Sequence, residues 1–323
     1  MKEIVFGIDI GGTNTVFGAV DIEGNCLFEG RIPTQAYNSF PLYVEKIHDV
    51  YNQMVQNLNF SHKILGIGLG APNGNFYTGE IDLAPNLPWK GRIEVRKEFA
   101  KYFGLPVWIT NDAKAAAIGE MMFGAAKGMK NFIVITLGTG LGSGFVVNGD
   151  LIYGHDGFAG EFGHITVHPD GRMCGCGRRG CLETYASATG IKRTVYKLLA
   201  DNLDPSSLRS VSFDQLSADM ISKAAMAGDP IAIEAFEYTG NILGSKLADA
   251  VAICSPEVII LFGGLAKAGD LILKPVKKSM EENLLPIFRN KIAVVQSGIY
   301  GSNVAVLGAA ALAWKQLGYS VTT

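Results

Sequence analysis

The most specific chemistry in the 323-residue sequence lies in His164 and the run Cys174-Gly175-Cys176-Gly177-Arg178-Arg179-Gly180-Cys181. Three thiolates spaced Cys-x-Cys-x4-Cys, with one imidazole, make a Cys3His set suited to tetrahedral zinc. The glycines allow the tight loop that brings three sulfurs onto one ion. Four protein ligands leave no open coordination position, so the zinc is expected to be structural rather than catalytic. The remaining cysteines, Cys26 and Cys254, lie in apolar segments and are expected in the core.

Around that loop stand Glu161, His164 and Glu183. Two carboxylates and an imidazole near one ordered loop suit vicinal sugar hydroxyls, which need paired acceptors. Either glutamate could equally be solvated or capping a helix. Asn86, in Ala84-Pro85-Asn86-Leu87-Pro88-Trp89, could be a turn former or a hydroxyl ligand. Asn111-Asp112 ends an apolar run and opens an alanine-rich one. Asp112 fits a helix N-cap, and it fits equally a base that takes a hydroxyl proton during phosphoryl transfer. The two roles are compatible.

Two glycine turns could receive phosphates. In Asp9-Ile10-Gly11-Gly12-Thr13-Asn14-Thr15, glycines let backbone N–H groups approach phosphate oxygens, Thr13 adds a hydroxyl, and Asp9 could hold magnesium through water. A bare Gly-Gly-Thr is also an ordinary hairpin turn. The second turn, Gly138-Thr139-Gly140, supplies the partner needed to grip a polyphosphate from both sides, and Gly263-Gly264 after an apolar strand could let adenosine lie against the backbone. No Gly-x4-Gly-Lys-Ser/Thr occurs, so P-loop mechanics are excluded. The Gly-x-Gly-x-Gly at Gly138–Gly144 runs into a strand rather than a helix, which argues against dinucleotide binding.

The elements that must position these residues read as follows. Strands are expected at Ile4–Asp9, Val16–Asp21 and Cys26–Ile32, then a helix over Leu42–Leu58, a strand at Ile64–Leu69, a helix over Arg92–Phe103 and a strand at Val107–Thr110. Asp112 would then cap a helix over Ala113–Ala125. The plan restarts with strands Phe132–Leu137 and Gly144–Val147, so that Asp9-Ile10-Gly11-Gly12-Thr13 is matched by Thr136-Leu137-Gly138-Thr139-Gly140. Such self-similarity suggests two related lobes. A long helix Pro230–Cys254, a strand Val258–Phe262, a helix Leu271–Leu284, a strand Ile292–Val295 and an alanine-rich helix Asn303–Leu317 complete the chain.

Composition narrows the class. With 48% hydrophobic and 18% charged residues the chain can bury large cores, and its length favours two packed lobes. A net charge of −2 gives no footprint for nucleic acid. Glu3 and Asp9 interrupt the N-terminal apolar stretch, so it is not a signal peptide, and no uncharged run spans a bilayer. No nucleic-acid or membrane partner is expected, and the expected compartment is the cytoplasm.

Taken together, Asp9-Ile10-Gly11-Gly12-Thr13 with Gly18, Ala71-Pro72, Asn86-Leu87-x-Trp89, Asn111-Asp112, Gly138-Thr139-Gly140, Gly160-Glu161-x-Gly163-His164, the cysteine run and Glu183 resemble the ROK family, in particular its bacterial glucokinases. The match covers essentially the whole chain. It implies an α/β, actin-like ATPase (ribonuclease H-like) fold with two lobes around a cleft. The small lobe would be residues 1–115 plus 303–323, and the large lobe 116–302 with the zinc loop. It further implies ATP-dependent phosphorylation of a hexose, glucose to glucose 6-phosphate, in carbohydrate metabolism and glycolysis, with ATP, Mg2+ and structural Zn2+ and with a homodimeric assembly. Asp112 would be the catalytic base, and Asn86, Asn111, Glu161, His164 and Glu183 would contact the sugar. His164 would hold zinc through one ring nitrogen and face a hydroxyl with the other. N-acetylmannosamine or N-acetylglucosamine kinases are the alternative within the family. Its sugar-responsive regulators carry a DNA-reading domain ahead of the first strand, for which a strand starting at Ile4 leaves no room. One departure is Asn73, which stands between Pro72 and Gly74 where many relatives have glycine directly after the proline.

Overall fold

The run Ile4-Val5-Phe6-Gly7-Ile8 is apolar on both faces, as a strand must be when both its faces are covered. In the computed structural model, which describes residues 1–299 and 304–319, Lys2–Ile10 is accordingly the middle strand of a five-stranded sheet. It pairs antiparallel with Asn14–Val20 and parallel with His62–Ala71, and Cys26–Pro33 and Val107–Asn111 form the two edges. Helix Phe40–Asn57 offers Tyr43, Val44, Ile47, Val50 and Met54 at helical spacing to the core shared with Phe6, Ile8, Ile67 and Leu69. Burying these side chains contributes roughly 1.5–3 kcal/mol each.

Helix Val304–Gln316 packs against the strands Lys2–Ile10 and His62–Ala71, and against helix Asp112–Phe123. The approach is backbone to backbone. A Cβ placed on Gly68 would overlap the carbonyl of Ala309, and one on Gly308 would lie 2.9 Å from the Ala115 carbonyl. The alanine-rich patterns of both helices are therefore a packing requirement, since larger side chains would push these layers apart.

By internal packing the chain divides into two units: residues 1–129 with 151–159 and the chain from Gly298 onward, and residues 130–150 with 160–297. The second has a sheet of the same order, with Leu141–Val147 antiparallel to Phe132–Leu137, then Val258–Phe262 and Ala293–Gln296 parallel, and the two-residue strand Asp150–Leu151 at the edge. The repeat expected from the paired glycine turns is thus present as a repeated sheet topology. The second core gathers these strands with helices Ala188–Asp201, Ala218–Met226, Pro230–Cys254 and Asp270–Asn283. Gly244 lets the third and fourth of these helices cross closely, because a Cβ there would overlap the Val276 carbonyl.

Several sequence expectations need correction. The helix expected from Arg92 starts at Val95, because Arg92–Ile93 pairs with Glu80–Asp82 in a small three-stranded sheet whose acids lie 3.5 and 3.6 Å from Arg92. Asp112 is the first helical residue rather than the cap. The cap is Asn111, whose Oδ1 accepts from the N–H groups of Ala113 and Lys114, and the helix stops at Phe123 before Gly124. Cys26 and Cys254 are half-buried rather than in the core, and each thiol donates to a backbone carbonyl. The last helix is described from Val304. Asn303, its expected first residue, and 320–323 of the expected small lobe lie outside the described residues.

Gly68→Ala should force the Val304–Gln316 helix off the sheet. A cost of about 1–3 kcal/mol is expected from overpacking, read as a melting temperature lowered by several degrees in circular dichroism. An unchanged melting temperature would mean the helix does not sit this close.

Candidate active site

Strands Lys2–Ile10, His62–Ala71 and Val107–Asn111 run parallel, so their carboxyl ends share one edge of the sheet. That edge is where open α/β sheets present ligand-binding groups. Asp9 stands there in register with Gly70, and Asn111 in register with Ala71. A Cβ on Gly70 would lie 3.0 Å from Asp9 Oδ1 and 3.7 Å from the Cα of Asp112, so glycine makes the space that lets two carboxyl-bearing residues flank one strand. Burial, then the charge of Asp112, pushes the Asp9 carboxyl up to about 7. Asp112 is exposed to solvent; the surrounding protein still raises its carboxyl by partial desolvation, offset in part by hydrogen bonds from the Ala113 N–H at 2.8 Å and from Asn111.

The turn at Gly11–Asn14 follows directly, closed by Gly11 N–H to the Asn14 carbonyl at 3.0 Å. Thr13 and Asn14 are exposed, and Asn86 stands exposed on a loop whose Trp89 is anchored between Phe40 and Tyr43 and donates to the Tyr37 carbonyl at 3.0 Å. Asn73 adopts φ +53 and donates from Nδ2 to the Asp82 carbonyl at 2.9 Å, so the extra residue before Gly74 anchors its own loop. The first unit thus brings together Asp9, Gly11, Gly12, Thr13, Asn14, Asn86, Asn111 and Asp112.

The second unit gathers the rest. Leu137-Gly138 and Phe262-Gly263 end adjacent parallel strands, and Gly263 at φ +100 packs against the Leu137 carbonyl, with Gly264 following. The Glu183 carboxylate fills the space a Cβ on Gly140 would need, and its Oε2 accepts from the Leu141 N–H at 3.0 Å. Its Oε1 lies 3.6 Å from Cys174 Sγ. Glu183 thereby links the turn Gly138-Thr139-Gly140 to the cysteine loop. Glu161 is exposed at the start of the 3-10 turn Phe162–His164.

Ligand atoms of His164, Cys174, Cys176 and Cys181 lie within 4.8 Å of one another and could hold one metal ion. Burial pushes the Cys174 thiol up to about 12. Burial works the same way on Cys176, but hydrogen bonds from Arg178 and the neighbouring thiols outweigh it and draw that thiol down to about 6. Packing thiols this closely without covalent links suits a cation that ionises them together. Gly180, at φ +73, packs so tightly on the His168 carbonyl that no side chain fits there. Arg172 was not singled out in the sequence. It donates to the Thr184 and Gly190 carbonyls at 2.8 and 3.0 Å and to Thr194 Oγ1 at 3.0 Å, and its guanidinium lies 4.5 Å from the Tyr185 ring centre. It fastens the cysteine loop to the Ala188–Asp201 helix.

Comparison with known proteins identifies the family and the fold. The ROK family profile matches residues 5–316. A glucokinase of Streptomyces coelicolor is 37% identical over 96% of this chain and 97% of its own length. The crystal structure of a ROK family glucokinase from Streptomyces griseus, in complex with glucose and AMPPNP, is 34% identical with a TM-score of 0.78 over 96% of this chain and 98% of that one. A ROK family transcriptional regulator, a homologue of the E. coli MLC protein, superposes with a TM-score of 0.87 at 27% identity, covering 98% of this chain and 79% of that chain. The chain belongs to the ROK family and has its actin-like α/β fold.

The raised Asp9 carboxyl makes a prediction about stability. A carboxyl whose value rises from 3.8 unfolded to about 7 folded favours its neutral form in the folded state, so stability is lost as pH climbs through that window. Asp9→Asn should therefore stabilise the nucleotide-free protein at pH 8 by roughly 2–4 kcal/mol and make little difference near pH 4. Denaturant titrations of both proteins at the two pH values check it, and a gain independent of pH would refute the burial argument.

Proposed function

We propose that this chain, as a member of the ROK family, is an ATP-dependent hexose kinase that converts glucose to glucose 6-phosphate. The observation that carries the reading is Asp112: a solvent-accessible carboxyl at the edge of the sheet, beside Asn111 and across Gly70 from Asp9. A base of that kind takes the proton of the sugar hydroxyl as its oxygen attacks the γ-phosphorus in line. The likeness to glucokinases along nearly the whole chain supports the same assignment.

In this reading the backbone N–H groups of Gly12 and Thr13, with Asn14, receive phosphate oxygens, while Gly11 closes the turn through its own N–H to the Asn14 carbonyl. Thr139 and Gly140 do so from the turn that Gly138 closes through its N–H to the Gly140 carbonyl, and Gly263-Gly264 lie under the adenosine. Magnesium, when bound with the nucleotide, would neutralise charge on the phosphates. Asp9 would orient it, and a cation there would also offset the repulsion that Asp112 exerts on Asp9. Asn86, Asn111, Glu161, His164 and Glu183 hold the sugar hydroxyls. Zinc on His164, Cys174, Cys176 and Cys181 would fix the segment that carries Glu161 and His164, and with four protein ligands it takes no part in the transfer. No helix among the described residues is long and apolar enough to cross a membrane. A cytoplasmic homodimer acting at the start of glycolysis is the setting that goes with this substrate.

Two experiments test the proposal. Asp112→Asn should fold and bind glucose yet lose about 10²–10⁴ in kcat, measured with a coupled ADP assay over glucose, mannose, fructose and the N-acetyl hexosamines. Wild-type turnover in the variant would remove Asp112 from the chemistry, and preference for an N-acetyl sugar would correct the substrate. The purified protein should carry one zinc per chain by elemental analysis. Cys176→Ser should lose that zinc and raise the sugar KM several-fold while leaving the ATP KM nearly unchanged. Full activity without metal would refute the zinc assignment.

A further inference from the structure

Gln35 stands where the two ligand loops of the first unit meet. It lies in the short turn Thr34–Ala36, whose position is fixed from below. Thr34 is fully buried and its N–H donates to the Thr13 carbonyl at 2.9 Å. The Thr34 hydroxyl donates to the Gly11 carbonyl at 2.8 Å and meets Thr15 Oγ1 at 2.9 Å, and Thr15 Oγ1 in turn meets the Tyr43 hydroxyl at 3.0 Å. From that anchored backbone the exposed Gln35 side chain reaches back. Its Nε2 donates to the Gly12 carbonyl at 2.5 Å and to the Asn86 carbonyl at 3.4 Å. Gly12 itself lies flush against Asn86: a Cβ on Gly12 would sit 2.9 Å from the Asn86 carbonyl oxygen and 3.2 Å from its Cβ. Two residues on, the Tyr37 carbonyl holds the Trp89 indole at 3.0 Å, at the far end of the same loop.

We propose that Gln35 couples nucleotide and sugar occupancy by bridging, through one amide group, the phosphate-receiving turn at Gly12 and the sugar-receiving loop at Asn86. This rests on the kinase reading above, which gives those two loops their ligands. A terminal amide has two N–H donors, and here they serve carbonyls from two loops 74 residues apart in the chain. Neither carbonyl is a ligand group, so the bridge acts on how well each loop is ordered. A ligand that orders one loop lowers the entropy the second ligand must still remove from the other, which is positive coupling without a change of shape. By reciprocity the coupling is the same in both directions. The side chain is exposed and buries no apolar surface, so its removal should spare folding and single-ligand binding and lower only the coupling. Gln35 is on this account a positioning residue.

The test measures the dissociation constant of the sugar by calorimetry, without and with saturating AMPPNP and magnesium, using the hexose that the wild-type enzyme phosphorylates. The wild type should bind that sugar at least about fivefold more tightly with nucleotide present, within the usual range of coupling. Gln35→Ala, and the uncharged, similar-sized Gln35→Met that lacks an N–H donor, should bring the ratio to within about twofold of one. Each ligand measured alone, and the melting temperature, should stay near wild type. A wild-type ratio of one, or a full ratio retained in both variants, overturns the coupling while leaving the kinase reading intact. Absence of turnover on every hexose overturns the kinase reading and the coupling with it.

Discussion

Two carboxyl groups on either side of one glycine strand impose the constraint around which the first unit is built. Half-buried Asp9 and exposed Asp112 meet at the carboxyl edge of a parallel sheet, where burial and then the charge of Asp112 raise the Asp9 carboxyl. Such an arrangement costs stability in the empty protein. It is kept in place because everything around it is rigid: Gly70 leaves the gap, Asn111 caps the helix that Asp112 opens, and helix Val304–Gln316 locks that helix to the sheet through glycine and alanine contacts. A cation placed beside the pair, as in the kinase reading proposed above, would offset the charge that Asp112 imposes on Asp9.

The two units share a sheet order and use it differently. In the first, the turn after the hairpin strand stands beside the carboxyls. In the second, the equivalent turn at Gly138–Gly140 is backed by Glu183, whose carboxylate occupies the volume a side chain on Gly140 would need. One topology has therefore been fitted with acid chemistry in one copy and with a braced, metal-ready loop in the other.

Much of this was legible in the sequence because the signals were local. Strand Val258–Phe262 and helix Pro230–Cys254 were bounded correctly by apolar periodicity and by the proline at the helix start. The Cys3His set was legible from spacing alone, and its atoms do converge. Ser187 and Ser217 cap helices Ala188–Asp201 and Ala218–Met226, a local signal by which the sequence marks both helix starts. Cap identity at Asn111-Asp112 was misassigned because both side chains can accept from the first turn, and only the backbone path decides which lies outside the helix. Arg172 and Gln35 could not be found this way. Their main partners are backbone carbonyls far along the chain, and a carbonyl carries no residue type to read.

The double fastening of the cysteine loop has a consequence for how such a protein is made in a cell. Arg172 ties that loop to its neighbouring helix with two hydrogen bonds, and to the Thr184 carbonyl with a third, none of which involves sulfur. The loop's course is therefore held by contacts that need no ion. In the zinc reading proposed above, metal supply would set how many folded molecules have a fully ordered loop rather than how many fold.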